Sequence, residues 1–170
     1  TAQLLIALKP LHDLFTIERI VVSTYQSVSG GGKSPMDELI EQTKLVLDGK
    51  KVKSKNFTKQ IAFNAIPHID LFSDDGYTKE ELKMANETKK ILGSDINLTA
   101  TCVRLPISVS HSESVNIKFK KSFTVDKVKD ALDNFEGCKV IDKRADGGYS
   151  TPLDAEGKNE TFISRIRYDK

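Results

Sequence analysis

The stretch "RIVVSTYQSVSGGGKS", residues 19–34, decides the fold. Its first part, residues 19–25, alternates and is rich in β-branched side chains, as strands are. Glycines follow, and Pro35 then suits the first turn of a helix, where its missing N–H has no partner to lose. We therefore predict a strand, a glycine loop over Ser27–Ser34, and a helix that runs to about Leu47.

The same stretch ends in Gly32-Lys33-Ser34, the last three letters of the P-loop pattern G-x-x-x-x-G-K-[ST]. The position that should carry the first glycine of that pattern holds Ser27. A glycine there lets the chain turn so that successive backbone N–H groups point at phosphate. The context of strand and helix fits a P-loop, but the spacing fails. A P-loop nucleotide hydrolase is therefore a disfavoured alternative. An ATP-binding test would distinguish it from the other interpretations.

The length of 170 residues predicts one domain, residues 1–170, with a substantial core. The 26 Lys+Arg and 24 Asp+Glu residues leave a net charge of +2, too small to indicate nucleic-acid binding. Cys102 and Cys138 lie far apart and outside any C-x-x-C pattern, which favours a reducing cytoplasm. We expect a cytoplasmic protein that contains no membrane-spanning segment and no metal site, because apolar runs are short and His and Cys lack ligand spacing.

The rest of the chain alternates between helical and strand patterns. Helices are predicted over residues 2–15, 79–92 and from Thr124 or Asp126 to 132. Strands are predicted over 96–108, broken by Pro106, and over 113–121, 139–141 and 161–169, while 61–70 is predicted as a short apolar strand followed by a turn. Thr78 and Glu81 form a capping-box pattern, and Gly93 is a plausible helix end. Alternating strands indicate a sheet with one wet face. We predict the α+β class, with a mostly antiparallel mixed sheet and helices packed on one face.

Arg104 and His111 stand out as candidate chemistry, because they lie seven residues apart around a turn that contains Pro106. An Arg holds carboxylate or phosphate by two-point contact, and a His suits general acid–base work near neutral pH. On spacing alone, however, the pattern favours a surface Arg and a surface His at a strand end.

Other candidates are weaker when considered alone. Glu80 and Lys83 could be an ordinary surface ion pair on one helix face. Gln26, at the end of the first strand, could orient a substrate or cap backbone groups. Cys102 could be a nucleophile, but its apolar neighbours favour a buried thiol.

Five stretches together resemble bacterial aspartate-semialdehyde dehydrogenase. They are "VVSTYQSVSGGG", "IAFNAIPHID", "GYTKEELKMANETKKIL", "TATCVRLPISVSHSESV" and "STPLDAEGKNETFISRIR", in that order across nearly the whole chain. The resemblance implies an oxidoreductase of lysine (diaminopimelate), threonine and methionine biosynthesis. Such an enzyme converts L-aspartyl-4-phosphate to L-aspartate 4-semialdehyde with NADPH through a Cys thioester. The resemblance also implies a fold like the C-terminal domain of glyceraldehyde-phosphate dehydrogenase-type enzymes, with a homodimer formed through the open face of the sheet. A tetramer is the alternative assembly.

The resemblance also implies roles for individual residues. His111 would be the general acid–base, and Gln26 would position the substrate and thioester. Arg104 would bind the substrate carboxylate, Glu80 the amino group and Lys83 the phosphate. The glycine loop would approach the nicotinamide end of NADP through Ser29 and Gly30.

The chain departs from the family pattern at its start. By the resemblance, the catalytic cysteine would lie two residues before Thr1, and the N-terminal cofactor domain would precede it. We therefore expect residues 1–170 to be the catalytic and dimerisation domain of a longer two-domain enzyme, inactive as a dehydrogenase alone. The alternative is a non-catalytic dimerising or regulatory remnant of the same fold.

Overall fold

The fold is organised around its central strand, and it is described by a computed structural model of residues 1–93 and 96–169. The helices are α1 Ala2–Phe15, α2 Lys33–Leu47, α3 Lys79–Leu92, α4 Val125–Asp133 and α5 Pro152–Ala155. The strands are β1 Ile17–Gln26, β2 Asn97–Arg104, β3 Ser112–Phe119, β4 Cys138–Val140 and β5 Thr161–Ile163. The chain thus has the predicted mixture of helices and strands.

Strand β1 has a partner on each side. It pairs in parallel with β2 and antiparallel with β3, so that the sheet order is β2-β1-β3. The short strands β4 and β5 form a separate parallel pair. The mixed sheet is confirmed, but antiparallel pairing does not predominate among the described residues. An alternating pattern indicates that one face of the sheet is exposed to solvent, but it does not indicate the direction of neighbouring strands. Here the helical crossover between β1 and β2 places these two strands parallel.

The helices α1 and α3 cover one face of this sheet. Side chains of β1 at Ile17, Ile20 and Val22 pack in one cluster with Leu4, Leu5 and Leu8 of α1 and Met84 of α3. The opposite face carries small and polar side chains, among them Ser23, which lies between Thr101 of β2 and Ser114 of β3. This one-sided arrangement is the one the sequence predicts.

Helix ends follow the predicted signals closely. Thr78 and Glu81 form the capping box of α3, and Gly93 ends that helix in the left-handed conformation with φ 65°. For α4, the N-cap is Thr124, whose side chain accepts a hydrogen bond from the backbone N–H of Lys127 at 3.2 Å. Of the two predicted starts of this helix, Thr124 and Asp126, the structure therefore supports Thr124.

Residues 61–70 are not the predicted strand. Within them, only Ile66 forms a bridge, with Arg104 at the end of β2, and Phe63 and Asp70 have positive φ angles that break an extended run. Ile61, Ala62 and Ile66 of this segment instead close a second core with Val28 and Leu39. The last predicted strand is likewise shorter than expected, because β5 covers only Thr161–Ile163.

Two buried side chains of α2 hold this irregular segment in place. Gln42 is 1% exposed, and its carbonyl oxygen accepts hydrogen bonds from the backbone N–H groups of Ile61 at 2.8 Å and Ala62 at 3.2 Å. Its amide donates to the carboxylate of Glu38 at 2.7 Å. Glu38 in turn accepts from the backbone N–H groups of Lys55 and Asn56. The backbone N–H groups of this segment are thus hydrogen-bonded by side chains of a helix and not by a neighbouring strand.

We expect the substitution Gln42→Leu to lower the free energy of unfolding by about 2–4 kcal/mol, because it leaves two buried N–H groups and part of a buried carboxylate without partners. Urea or guanidinium unfolding followed by circular dichroism measures this. The control is Glu41→Gln on the same helix, which removes only an exposed pair with Lys55 and should change stability by less than about 0.5 kcal/mol. Equal stabilities of the two variants would contradict the anchoring role.

Candidate active site

The candidate site lies where β1 and β2 end side by side. Gln26 and Arg104 are register partners, and the pairing continues beyond the strands. The backbone N–H of Leu105 donates to the carbonyl of Gln26 at 2.9 Å, and the N–H of Val28 donates to the carbonyl of Ile107 at 2.8 Å. These bonds hold the glycine loop and the loop around Pro106 together, so residues distant in sequence meet at one edge of the sheet.

Ser27 connects the two strongest candidates. Its backbone N–H donates to Nδ1 of His111 at 3.1 Å, and its hydroxyl lies 2.9 Å from the same nitrogen. Its carbonyl accepts a hydrogen bond from Nη1 of Arg104 at 2.6 Å. Ser27 is fully buried, and its hydroxyl also lies 3.0 Å from that of Ser29. Arg104 and His111 are therefore held by one residue, and the reading of them as unrelated surface residues is wrong.

Gly30 bounds the open side of the pair. A Cβ placed on Gly30 would lie 3.3 Å from Nε2 of His111 and 3.4 Å from Nη1 of Arg104, so any side chain there would press on both groups. Glycine at this position avoids a side chain that would crowd Nε2 of His111 and Nη1 of Arg104. On the other side, Ser110 precedes His111 with φ 70°, a conformation that few non-glycine residues adopt, and it turns the chain into β3.

The electrostatics keep the His111 ring neutral. Burial lowers the pKa of His111, because the imidazolium loses hydration, and the positive charge of Arg104 lowers it further, with a smaller contribution from the amino terminus. The Glu80 carboxylate acts in the opposite sense on this pKa. Burial also lowers the pKa of Arg104, again opposed by Glu80, but an arginine remains charged in proteins. The site thus presents a fixed cation beside a neutral imidazole.

The remaining predicted residues surround this pair at different distances. Glu80, at the start of α3, acts electrostatically on both Arg104 and His111, and its carboxylate lies 3.7 Å from Nζ of Lys83. Lys83 is thus linked to the pair through its contact with Glu80. Gln26 is 6% exposed and ends β1 beside Arg104.

Neither thiol in the described residues has the properties of a nucleophile. Cys102 is fully buried, its sulfur contacts the sulfur of Met84 at 3.7 Å, and burial raises the pKa of its thiol. The interpretation of Cys102 as a buried thiol is confirmed. Cys138 packs in a different cluster, and burial raises the pKa of its thiol too.

The first three residues of the glycine loop do not form the N–H cradle of a P-loop. The backbone N–H groups of Ser27, Val28 and Ser29 donate to His111, Ile107 and Ser108, so these three groups are already used within the fold. Across residues 1–93 and 96–169, no group of three or more His, Cys, Asp or Glu side chains is placed to hold a metal ion. In the same residues, every helix is too short or too polar to cross a bilayer.

Sequence reasoning missed Ser27 as a functional residue and treated it only as a defect in the P-loop pattern. Its contributions to the site are mostly a backbone N–H and a backbone carbonyl, which every residue but proline has. Its side chain carries no signal that could have identified it. Only its position, directly after Gln26 at the end of β1, hinted at a place in the site.

Comparison with known proteins identifies relatives along nearly the whole chain. The family model described as semialdehyde dehydrogenase, dimerisation domain, matches residues 8–170. An aspartate-semialdehyde dehydrogenase of Aquifex aeolicus is 46% identical over 172 residues, which cover 100% of this chain and 51% of that protein. The chain therefore spans about half the length of the curated relatives it matches.

Solved structures agree with this assignment. The crystal structure of aspartate semialdehyde dehydrogenase II from Vibrio cholerae matches with a TM-score of 0.95 and 43% identity, over 99% of this chain and 50% of that one. A second structure of the Vibrio cholerae protein, complexed with ASA, gives the same values. These likenesses confirm the predicted α+β fold.

We expect the imidazole of His111 to titrate below the ordinary value of about 6.5, and Arg104→Met to raise its pKa by removing the charge that opposes the imidazolium. The measurement is an NMR titration of the His111 ring C–H signals in both proteins. The matched control is Arg144→Met, which removes an exposed guanidinium from the loop after β4 and should leave the titration unchanged. A His111 pKa that stays constant or falls in Arg104→Met would contradict the electrostatic interpretation.

Proposed function

Because the chain belongs to the semialdehyde dehydrogenase dimerisation-domain family, we propose that it is the substrate-binding and dimerisation part of an NADP-dependent aspartate-semialdehyde dehydrogenase. The whole enzyme would convert L-aspartyl-4-phosphate to L-aspartate 4-semialdehyde in the biosynthesis of lysine, threonine and methionine. Residues 1–170 would form one domain of that two-domain protein.

One observation carries this proposal. Arg104 and His111 both contact Ser27, and Gly30 places no side chain against their functional ends. A rigid guanidinium can hold a carboxylate by two hydrogen bonds, and an imidazole at a set distance from it can act on a second group of the same molecule. A small substrate with a carboxylate and a reactive carbonyl meets both requirements. A dimerising surface alone would need neither.

The other candidates complete the contacts that such a substrate needs. Glu80 would hold the amino group, since it is the carboxylate that acts on both Arg104 and His111. Lys83, whose side chain is 55% exposed, would receive the phosphate at the outer end. Gln26, at the end of β1 beside Arg104, would position the reacting carbonyl. Each charged group of an aspartyl phosphate would then face an opposite charge.

The cofactor would approach from the glycine loop. NADPH, when bound, supplies the hydride for the reduction. The residues of this chain that would contact its nicotinamide end are Ser29 and Gly30, and they fit that task because Gly30 has no Cβ to fill the space over His111. Most of the cofactor would be held by the other part of the enzyme.

The nucleophile would also come from outside residues 1–170. Covalent acyl transfer needs an accessible thiol of lowered pKa beside the site. Cys102 is buried with a raised pKa, and Cys138 packs in the separate cluster with α4. We accordingly propose that residues 1–170 bind substrate without turning it over.

A homodimer would form through the uncovered face of the sheet. Along this face Ser23, Tyr25 and Thr101 alternate with the inward-facing residues, and Tyr25, near the end of the central strand β1, is 39% exposed. Its register partners are Val103 and Ser112, and an exposed aromatic ring beside small side chains suits a self-complementary contact. The comparison family carries dimerisation in its description, which supports this assignment.

We expect residues 1–170 to bind L-aspartate 4-semialdehyde, with NMR shifts of the backbone amides of Gln26, Gly30, Arg104 and His111. Arg104→Met should weaken this binding by roughly tenfold or more, since a hydrogen bond to a charged group contributes about 1.5–3 kcal/mol. Arg104→Lys should recover only part of the loss, because a lysine lacks the fork. The control Arg144→Met should bind like the unchanged protein. Dimerisation without any binding would favour the non-catalytic remnant.

We expect the protein to sediment at twice the mass of one chain, and Thr101→Glu to raise the dissociation constant of the dimer by roughly tenfold or more. Two copies of the new carboxylate would be brought together across the interface, and like charges there cost several kcal/mol. Analytical ultracentrifugation over a concentration series measures the change. Leu153→Glu is the control, because Leu153 is 81% exposed in α5, away from the sheet. A Thr101→Glu dimer as tight as the control would place the interface elsewhere.

A further inference from the structure

The buried face of α3 contains an acidic side chain. Glu81, Met84 and Thr88 are the buried residues of this helix, at the three- and four-residue spacing of a single face. Met84 is an ordinary core residue, and its sulfur lies 3.7 Å from the sulfur of Cys102 in β2. Glu81 is 9% exposed on the same face. A carboxylate in such a place is costly unless hydrogen bonds compensate for its lost hydration.

The two oxygens of Glu81 contact two different elements. Oε2 accepts a hydrogen bond from the backbone N–H of Thr78 at 2.8 Å, which is the capping-box contact. Oε1 accepts from the backbone N–H of Cys102 at 2.9 Å. A capping box requires only the first of these bonds. The second bond therefore has a different effect, because it joins the first turn of α3 to the outer edge of β2.

This joint lies close to Arg104 along the same edge of β2. Two residues beyond Cys102, the N–H of Arg104 donates to the carbonyl of Ile66 at 2.9 Å, and the carbonyl of Arg104 accepts from the N–H of Ile66 at 3.0 Å. Alternate N–H groups of this strand thus point away from β1, and Glu81 and Ile66 each accept from one of them. Helix α3 is therefore attached to β2 two residues before the guanidinium of the candidate site.

The same joint controls the position of Glu80 and Lys83. Glu80 directly precedes Glu81, and Lys83 follows it by two positions, so neither side chain lies on the buried face of the helix. Glu80 acts electrostatically on Arg104, and its side chain is 21% exposed. A rotation or shift of α3 relative to β2 would move both Glu80 and Lys83 relative to Arg104.

We propose that Glu81 is a positioning residue, whose bond to Cys102 sets the distance between the first turn of α3 and Arg104. The inference rests on the proposed function, in which Arg104 holds the substrate carboxylate and the groups of α3 hold its amino group and phosphate. Glu81 itself touches neither substrate nor cofactor in this role. A small substrate with several charged groups can meet all its partners only when the spacing between those partners is fixed.

The test uses the pKa of His111 as a measure of the position of Glu80. Burial, Arg104 and the amino terminus lower this pKa, and Glu80, on α3, acts in the opposite sense. Glu81→Ala removes the bond to Cys102, so that the start of α3 can move away, and the His111 pKa should fall. Glu81→Gln retains one acceptor oxygen and should lower this pKa less. An NMR titration of the His111 ring C–H signals measures both changes.

Thr78→Ala is the matched control, because it weakens the cap of the same helix but leaves the bond between Glu81 and Cys102. It should not change the His111 pKa. Glu80→Gln tests whether the effect passes through Glu80, since in that background Glu81→Ala should lower the pKa no further. Equal His111 pKa values in Glu81→Ala and Thr78→Ala would overturn the inference, as would a further fall in the Glu80→Gln background. If Glu81→Ala does not fold, Glu81→Gln replaces it in each comparison.

Substrate binding separates this inference from the proposed function. Glu81→Ala should raise the dissociation constant for L-aspartate 4-semialdehyde roughly tenfold, about the loss of one hydrogen bond to a charged group. Thr78→Ala should bind like the unchanged protein. If His111 titrates as expected but the unchanged protein does not bind the semialdehyde, the proposed function fails and the positioning role of Glu81 stands. If the unchanged protein binds and Glu81→Ala binds equally well, the inference is overturned.

Discussion

The backbone hydrogen bonds that join the chain just beyond β1 to the chain just beyond β2 are the constraint on which the site depends. They continue the parallel pairing of the two strands for a few residues after the side chains stop alternating. As a result, two loops behave as one rigid edge. A cation and an imidazole that belong to different strands can then be held within hydrogen-bond distance of a single residue, Ser27, without support from their own side-chain neighbours.

The local parts of the fold could be predicted because their causes are local. The capping box of Thr78 and Glu81 lies within one helical turn, so both partners are visible in the sequence. Residues 61–70 were predicted wrongly because apolar side chains that close a core look the same whether or not the backbone has a ladder partner. In this case the partner groups are the side chains of Gln42 and Glu38, which lie on a helix.

The residues of the site also differ in whether they could be predicted from the sequence. Arg104 and His111 could be identified because their side-chain chemistry is unusual at the end of a strand. Ser27 could not, since the groups it contributes belong to the peptide backbone, and only the three-dimensional pairing directs them at His111 and Arg104.

The position of β1 in the sheet has a consequence for how the chain comes to be folded. Arg19 pairs with Asn97, and Ser23 pairs with Ser114, so the central strand β1 is synthesised long before either of its neighbours. A chain emerging from the ribosome would carry this apolar, β-branched segment with both edges unpaired while α2, the irregular segment and α3 are synthesised. Folds with such non-local pairing form slowly and expose strand edges to other chains meanwhile. Early packing of α1 against β1 would shield one face but neither edge.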